Sequence, residues 1–243
     1  ATIDVQKSEE GLEARLIHQV GGTITVKSSD DGLNAKDWTL ESSEEQGPGQ
    51  QTKKVKSEAT NAKNLDQAGD VKIVIDGGTL TVDAEGDGLD ANGSIEINGG
   101  TVVVNGPTSG ANAALDYDDN ATLNGGTVLF VDNGQMTMGF GSDSSQAFLM
   151  ASVQGTAGTT VEVVDSSGKT VASLKAFKSF STVLISSPDI KDGEKYTIKV
   201  GSNSTTATAS KQAANIGGGP GGGQPGQGAP GGQPGQGGRP GGR

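Results

Sequence analysis

The sequence predicts an all-β protein whose main part is a parallel β-helix. A Gly-Gly-Thr motif followed by an apolar-polar alternation recurs along the chain. A short acidic turn built around a leucine recurs at a similar period. No segment shows a sustained 3.6-residue periodicity, and the apolar runs are rich in Val, Ile and Thr, which argues for strands and against helices.

The Gly-Gly-Thr motif marks four predicted strands. It begins at Gly21 ("GGTITV"), Gly77 ("GGTLTV"), Gly99 ("GGTVVV") and Gly125 ("GGTVLF"). Alternation after each motif indicates a strand with one inward and one outward face. We therefore expect four equivalent strands.

The second recurring element is a turn of the form small residue, Leu, acid or amide. Its five copies are "EGLEA" (10–14), "DGLNA" (31–35), "KNLDQ" (63–67), "DGLDA" (87–91) and "AALDY" (113–117). Successive leucines are 21, 32, 24 and 26 residues apart, and the longest step carries a polar insertion over residues 39–57. A repeat of about 22 to 26 residues suits one coil of a β-helix.

Short alternating runs at 71–75 ("VKIVI") and 94–98 ("SIEIN") supply a further strand in each repeat. Strands of about five residues cannot bury their inner face alone, whereas stacked coils bury it against one another. A β-sandwich is the alternative fold, because short strands at regular spacing also suit it. Recurrence of the whole unit favours the β-helix.

Three segments follow from these patterns. Residues 1–147 are predicted as the β-helix with acidic turns. Residues 148–215 are predicted as final coils or an antiparallel β cap, with a hairpin over 159–174 and two strands over 180–201. Residues 216–243 are predicted as a disordered tail, since residues 217–243 contain 15 glycines, five prolines and no apolar side chain larger than Ala229.

Charge and composition restrict the function. The net charge is -11, and the tail adds two arginines and no acid, so the rest of the chain carries -13. Phosphate binding needs clustered Lys and Arg, so no nucleic acid partner is expected. Absence of cysteine excludes disulfides and thiolate metal sites. The chain lacks an apolar run of about 18 residues, so we do not expect it to span a membrane.

Stacked coils would place the acids of successive turns in a column, about 4.8 Å apart. Calcium binds six to eight oxygens at about 2.3–2.6 Å, so an ion between two coils reaches acids from both. Carbonyl groups at Gly32 and Gly88 would add ligands. The predicted calcium ligands are Glu10, Glu13, Asp30, Asp31, Asn34, Asp66, Glu85, Asp87, Asp90 and Asp116. The alternative is that these acids are ordinary turn formers.

The segments "GGTITVKSSDDGLNA", "GDGLDANGSIEINGGTVVVNGP" and "AFKSFSTVLISSPDIKDGEKYTIKVG" resemble a family of bacterial carbohydrate-binding proteins. The resemblance covers about residues 1–201. It implies a right-handed parallel β-helix similar to polysaccharide lyases, bound calcium, and an extracellular or cell-surface location. It also implies plant cell-wall polysaccharide as the partner, either cellulose or acidic sugars. Lys63 and Ala113 depart from the acidic position. We expect a monomer.

Catalysis is the less favoured interpretation. A calcium-dependent lyase needs a base beside the metal, and the candidates Arg15, Lys36 and Lys63 fit solvated surface charges better. No pair of acids stands out as a glycosidase pair. A binding module is therefore favoured, with a pectate-type lyase and a calcium-stiffened, adhesin-like surface protein as alternatives.

Sugar recognition is predicted to depend little on aromatics. Aromatic residues make up 3% of the chain, and Trp38 and Tyr117 are the candidates for stacking on a sugar ring. For Trp38, packing on the outside of the solenoid is an equal alternative. Calcium-bridged contact with uronate carboxylates has the better physical basis, because a chain of this charge otherwise repels an acidic polymer.

Overall fold

The computed structural model describes residues 1–37 and 70–212, and its ordered elements there are all β-strands. In chain order they are β1 (Thr2–Ser8), β2 (Leu12–Ala14), β3 (Leu16–Gln19), β4 (Thr23–Ser28), β5 (Leu33–Ala35), β6 (Lys72–Ile75), β7 (Thr79–Ala84), β8 (Leu89–Ala91), β9 (Ser94–Ile97), β10 (Thr101–Asn105), β11 (Leu115–Tyr117), β12 (Asn120–Leu123), β13 (Thr127–Asp132), β14 (Leu149–Gly155), β15 (Thr160–Val164), β16 (Thr170–Lys175), β17 (Phe180–Ser186), β18 (Lys195–Val200) and β19 (Asn203–Thr208). The predicted all-β class is therefore confirmed.

Three sheets contain parallel strands. Sheet 1 has the order β1-β4-β7-β10-β13-β17-β14, sheet 2 the order β11-β8-β5-β2, and sheet 3 the order β12-β9-β6-β3. From β7 to β13 the chain visits sheets 1, 2 and 3 in that order and then returns to sheet 1. All four strands predicted from Gly-Gly-Thr (β4, β7, β10 and β13) lie in sheet 1 and pair in parallel.

One hydrophobic core joins the inner faces of these three sheets. Leu80 and Val82 enter it from sheet 1, Leu89 from sheet 2, and Ile95 and Ile97 from sheet 3, all fully buried. At the inward-facing positions the register places apolar side chains side by side, with Leu80 beside Val102 and Ile73 beside Ile95. Burial of these branched side chains is the main favourable term in folding.

Glycines at the acidic turns are required by close approach of neighbouring strands. A Cβ on Gly32 would collide with Gly88 O and with the Val82 side chain, and a Cβ on Gly88 would meet Ala114 O. The Leu33 N–H donates to Gly88 O at 3.0 Å, so these glycine carbonyls pair successive turns. The "DGL" spacing therefore reflects backbone packing.

Beyond β13 the pairing becomes antiparallel. β17 lies between β13 and β14 at one end of sheet 1. Sheet 4 has the order β16-β15-β18-β19, and its apolar face packs over Val103, Leu129 and Val131 on the outer face of sheet 1. The predicted hairpin over 159–174 is confirmed as β15 and β16. The two strands predicted over 180–201 are also confirmed, but they belong to different sheets.

Residues 1–37 and 70–212 contain no helix long and apolar enough to cross a membrane. Trp38, Lys63, Asp66 and the predicted tail at 216–243 lie outside the described residues.

Candidate functional site

The turns that lead from sheet 1 to sheet 2, together with the middle residues of the sheet 2 strands that follow, carry a group of acids and one amide, here called the acidic edge. It consists of Glu10, Asp30, Asp31, Asn34, Asp87, Asp90 and Asp116. Gly11 N donates to Asp31 O, and Gly32 N donates to Asp87 O, so the turns stack in register. The structure thus brings together most of the residues predicted as calcium ligands.

Hydrogen bonds tie the stacked turns to one another. The Asp87 N–H donates to Asp31 Oδ1 at 2.7 Å, and the Ala113 N–H donates to Asp87 Oδ1 at 2.5 Å. Carboxylate oxygens of Asp30 and Asp31 approach Gly86 so closely that a side chain there would collide with both. The carboxylates of Asp31 and Asp87 are therefore held in place by N–H groups of the neighbouring turn.

A second row runs along sheet 2. Register places Glu13 beside Asn34, Asn34 beside Asp90, and Asp90 beside Asp116. The strands that carry Asn34 and Asp90, β5 and β8, pair directly with each other. Glu13, Asn34, Asp90 and Asp116 of the predicted column are therefore in register. Asp66 was also predicted for this column, and it lies outside the described residues.

Two oxygens of the acidic edge are buried without a partner. Asn34 is 4% exposed, and its Oδ1 accepts no hydrogen bond, as is also true of Glu10 Oε2. Asn34 Nδ2 donates long hydrogen bonds to Asp31 Oδ2 at 3.3 Å and to Glu10 Oε1 at 3.5 Å. Buried acceptors without donors are costly in a folded protein, and a bound cation would satisfy them.

Burial and mutual repulsion raise the pKa values of four acids of this edge, namely Glu10, Asp31, Asp87 and Asp90. Desolvation, followed by repulsion from Asp116, raises the pKa of Asp87 to about 7 despite the hydrogen bond from Ala113. Desolvation, and then the charges of Asp31 and Asp87, raises the pKa of Asp90 to about 7. The pKa values of Asp31 and Glu10 are raised for the same first cause. The edge therefore resists carrying its full negative charge.

The donor chemistry fits a hard cation. Every side chain of the acidic edge offers oxygen, which calcium prefers, whereas zinc prefers His and Cys. Within residues 1–37 and 70–212, no three acidic or histidine side chains converge closely enough to hold an ion as they stand. A bound ion would have to draw carboxylates together. The predicted contribution from Gly32 and Gly88 is weakened, since Gly32 O and Gly88 O already accept N–H groups of the adjacent turn.

Two predicted ligands instead form ion pairs with lysines. Glu13 Oε1 lies 2.7 Å from Lys36 Nζ. Glu85 Oε1 lies 3.0 Å from Nζ of Lys178, which also contacts Asp83 at 3.2 Å and donates to Ala84 O at 2.6 Å. The carboxylates of Glu13 and Glu85 thus have cations of their own.

Tyr117 is partly buried and packs against the hydrophobic core. In register it continues the inward row of Ala14, Ala35 and Ala91, and its ring packs on the core of the three parallel sheets. Its hydroxyl donates to Gly139 O at 2.8 Å. Burial, and then the Asp116 charge, raises its pKa. These contacts favour a structural role for Tyr117 over stacking on a sugar ring.

The turns from sheet 3 to sheet 1 carry a contrasting group, here called the amide edge, formed by His18, Asp76, Asn98 and Asn124. Asn98 Nδ2 donates to Asp76 Oδ1 at 2.8 Å, and Asn124 Nδ2 donates to Asn98 Oδ1 at 2.9 Å. His18 Nε2 lies 2.7 Å from Asp76 Oδ2. The hydrogen bonds from Asn98 and then His18 lower the pKa of Asp76.

Sequence reasoning missed three parts of these sites. Asp76, Asn98 and Asn124 each precede a Gly-Gly pair, so the same motif that marked the strands contained the signal for the amide edge. Asp118, which adds to the raised pKa of Asp90, follows the acidic turn closely. Lys178 gave no local signal, since it is 94 residues from Ala84.

A comparison of the chain with protein-family models, with curated proteins and with solved structures finds no match. The family resemblance therefore stays a prediction.

Proposed function

We propose that this protein is a non-catalytic, calcium-dependent carbohydrate-binding protein that acts outside the cell on plant cell-wall polysaccharide. The observation that carries the proposal is the acidic edge, where stacked carboxylates with raised pKa values lie beside the unpartnered oxygens Glu10 Oε2 and Asn34 Oδ1. A cation would relieve both the repulsion and the missing hydrogen bonds.

The proposed scaffold is a right-handed parallel β-helix capped by sheet 4. Support comes from the repeated order of sheets 1, 2 and 3, with equivalent residues in register. Right-handedness follows the strong preference of crossover connections between parallel strands. Stacked turns would then keep the oxygens of the acidic edge about 4.8 Å apart along one direction.

Calcium is the proposed ion because its coordination is large and tolerant. It accepts six to eight oxygens in irregular geometry, whereas magnesium demands a near-ideal octahedron. The Asp87 and Asp90 carboxylates would be the central ligands, with the Asn34 amide oxygen and Asp31 beside them. Binding requires these carboxylates to be deprotonated, so calcium would displace the protons that the raised pKa values retain.

Uronate polymers are the favoured ligands, with cellulose as the neutral candidate. An ion held at this half-buried edge would keep coordination positions for carboxylates and hydroxyls of a sugar chain. Without that bridge, a protein of net charge -11 repels a polyanion. The described lysines near the edge argue against a lyase, because Lys36 and Lys178 lie in ion pairs with carboxylates.

Affinity electrophoresis in gels containing polygalacturonate tests the proposal. Calcium is expected to retard the wild-type protein, and EDTA is expected to abolish the retardation. The double variant D87N/D90N should lose retardation in calcium. The matched control is D143N/D192N, which changes the net charge equally at two exposed positions. Retardation that persists in EDTA, or an equal loss in the control, would contradict the proposal.

Incubation of the protein with polygalacturonate and calcium distinguishes binding from lysis. A binding protein leaves the polymer length unchanged, whereas a lyase shortens it with formation of unsaturated ends. Chain shortening that D87N/D90N abolishes would establish the lyase instead.

A further inference from the structure

An open groove of about 400 Å³ lies in the C-terminal part of the chain. Its walls come from the end of β14, the start of β17 and the turn that joins β18 to β19. The polar wall residues include Gln154, Thr156, Ser179, Ser181, Ser202 and Asn203. Ligand pockets commonly have volumes of about 300–1,000 Å³, so the groove is large enough for a sugar residue.

Apolar groups close the inner side of this groove. Phe180 and Val200 line it and are 4% and 2% exposed. A Cβ on Gly155 would collide with the Phe180 ring, so the missing side chain lets the ring lie against the β14 backbone. The floor is therefore tightly packed, and the polar groups around it provide most of the surface that a ligand can reach.

Hydroxyl and amide groups surround the floor. Asn203 Nδ2 donates to Gln154 O at 2.9 Å and thereby joins β19 to β14. The hydroxyls of Thr156 and Thr159 lie 3.2 Å apart and form another part of the wall. These groups can both donate and accept hydrogen bonds, as sugar hydroxyls do.

The described residues that line the groove are all uncharged, although the chain carries 29 acids. This distinguishes the groove from the acidic edge, where oxygen acceptors predominate. Neutral hydroxyls and amides over a closed floor complement the hydroxyls of a neutral sugar. It offers no counter-charge to a uronate or a phosphate.

We propose that this groove is a calcium-independent subsite for a neutral sugar residue of a polysaccharide. The choice of sugar as the ligand rests on the proposed function, whereas the neutrality of the sugar rests on the groove itself. Along the chain, Ser179 of the groove follows Lys178, whose ammonium contacts Glu85, two residues before Asp87 of the acidic edge. A polymer with neutral and acidic residues would thus find both kinds of site on one protein.

Titration of the ¹⁵N-labelled full chain with cellotetraose in EDTA tests this subsite. Amide signals of Ser179, Ser181 and Ser202 are expected to shift. Replacement of the exposed Ser202 by Trp fills the groove and should weaken binding by at least about tenfold, which corresponds to roughly 1.4 kcal/mol. The matched control S166W changes an exposed turn serine elsewhere and should bind as the wild type does.

Failure of the two proposals gives different results. D87N/D90N should lose binding to polygalacturonate in calcium but keep the cellotetraose shifts. The subsite is overturned if cellotetraose shifts no groove signal in EDTA, or if the shifts appear only in calcium. It is also overturned if S202W binds as tightly as S166W while its spectrum shows a native fold. N203A, which keeps the groove open and removes one amide, should weaken binding less than S202W does.

Discussion

The acidic edge and the amide edge arise from the same repeat but differ in the hydrogen bonding between their stacked side chains. In the amide edge, the Asn98 side chain donates a hydrogen bond to Asp76 and accepts one from Asn124, so the side chains of successive turns are hydrogen-bonded to each other. In the acidic edge, acids stack on acids and Asn34 Oδ1 remains without a donor. Amides contain a donor and an acceptor, whereas carboxylates contain acceptors alone. A stack of amides is therefore complete in itself, and a stack of acids requires a cation.

Calcium should produce the largest difference between the two edges. At about 100 times its dissociation constant, an ion that binds the folded state adds about 2.7 kcal/mol per site to the free energy of unfolding. For a chain of this length, that corresponds to a rise in Tm of roughly 5 to 10 °C. Differential scanning calorimetry with calcium and with EDTA measures it.

The matched variants for this measurement lie one on each edge. D87N/D90N should lose the calcium-dependent rise, and D76N on the amide edge should keep it. A rise that survives in D87N/D90N would place the ion elsewhere. A rise without polysaccharide binding would support the adhesin-like, calcium-stiffened alternative.

The pH dependence of metal-free stability should be next in size. Asp87 and Asp90 have an ordinary pKa of 3.8 and a folded pKa of about 7, so the folded state binds more protons between these values. Stability contributed by such groups is lost as pH rises through that window. For two partly solvated, coupled carboxylates, we expect unfolding in EDTA to require about 2 kcal/mol more at pH 5 than at pH 8.

Urea denaturation at pH 5 and pH 8 measures this difference, and saturating calcium should remove it because the ion replaces the protons. Asp76 behaves oppositely, since its lowered pKa gives stability above the ordinary value that is lost on acidification. D76N should therefore leave the difference between pH 5 and pH 8 almost unchanged. A metal-free protein more stable at pH 8 than at pH 5 would contradict the interpretation of the acidic edge.

Single aspartate-to-asparagine changes should have opposite signs on the two edges. In EDTA at pH 8, D90N removes a repelled charge and should stabilise the protein by about 1 kcal/mol. D76N removes the carboxylate that accepts hydrogen bonds from Asn98 and His18 and should destabilise by about 0.5 to 1 kcal/mol. Urea midpoints of both variants check the signs, and destabilisation by D90N would show that its charge is already compensated.

The repeat pattern predicted much of this structure because it is local. Gly-Gly-Thr located the sheet 1 strands, and the acidic turn located the stacked acids of Asp31, Asp87 and Asp90. Long-range outcomes were not predictable from periodicity. Neither the insertion of β17 between β13 and β14 nor the contact of Lys178 with Ala84 leaves a pattern in nearby residues.

Burial of the candidate ligands also required the structure. Local sequence gives the same expectation for Asp87 and Glu85, two residues apart in one turn. The structure leaves Asp87 half-buried against the next turn and Glu85 57% exposed beside Lys178. Only the packing of neighbouring strands separates a carboxylate with a raised pKa from a carboxylate in an ion pair.

The parallel register of sheet 1 has a consequence for how the chain folds. Thr2 pairs with Thr23, 21 residues away, and Thr23 pairs with Thr79 across the 38–69 segment. Each such pair closes a long loop before its contacts form, and proteins dominated by distant pairings fold in milliseconds to seconds. On the ribosome, β1 to β13 emerge before Lys178 and sheet 4. The edge of β13 therefore stays unpaired until β17 is synthesised and pairs with it.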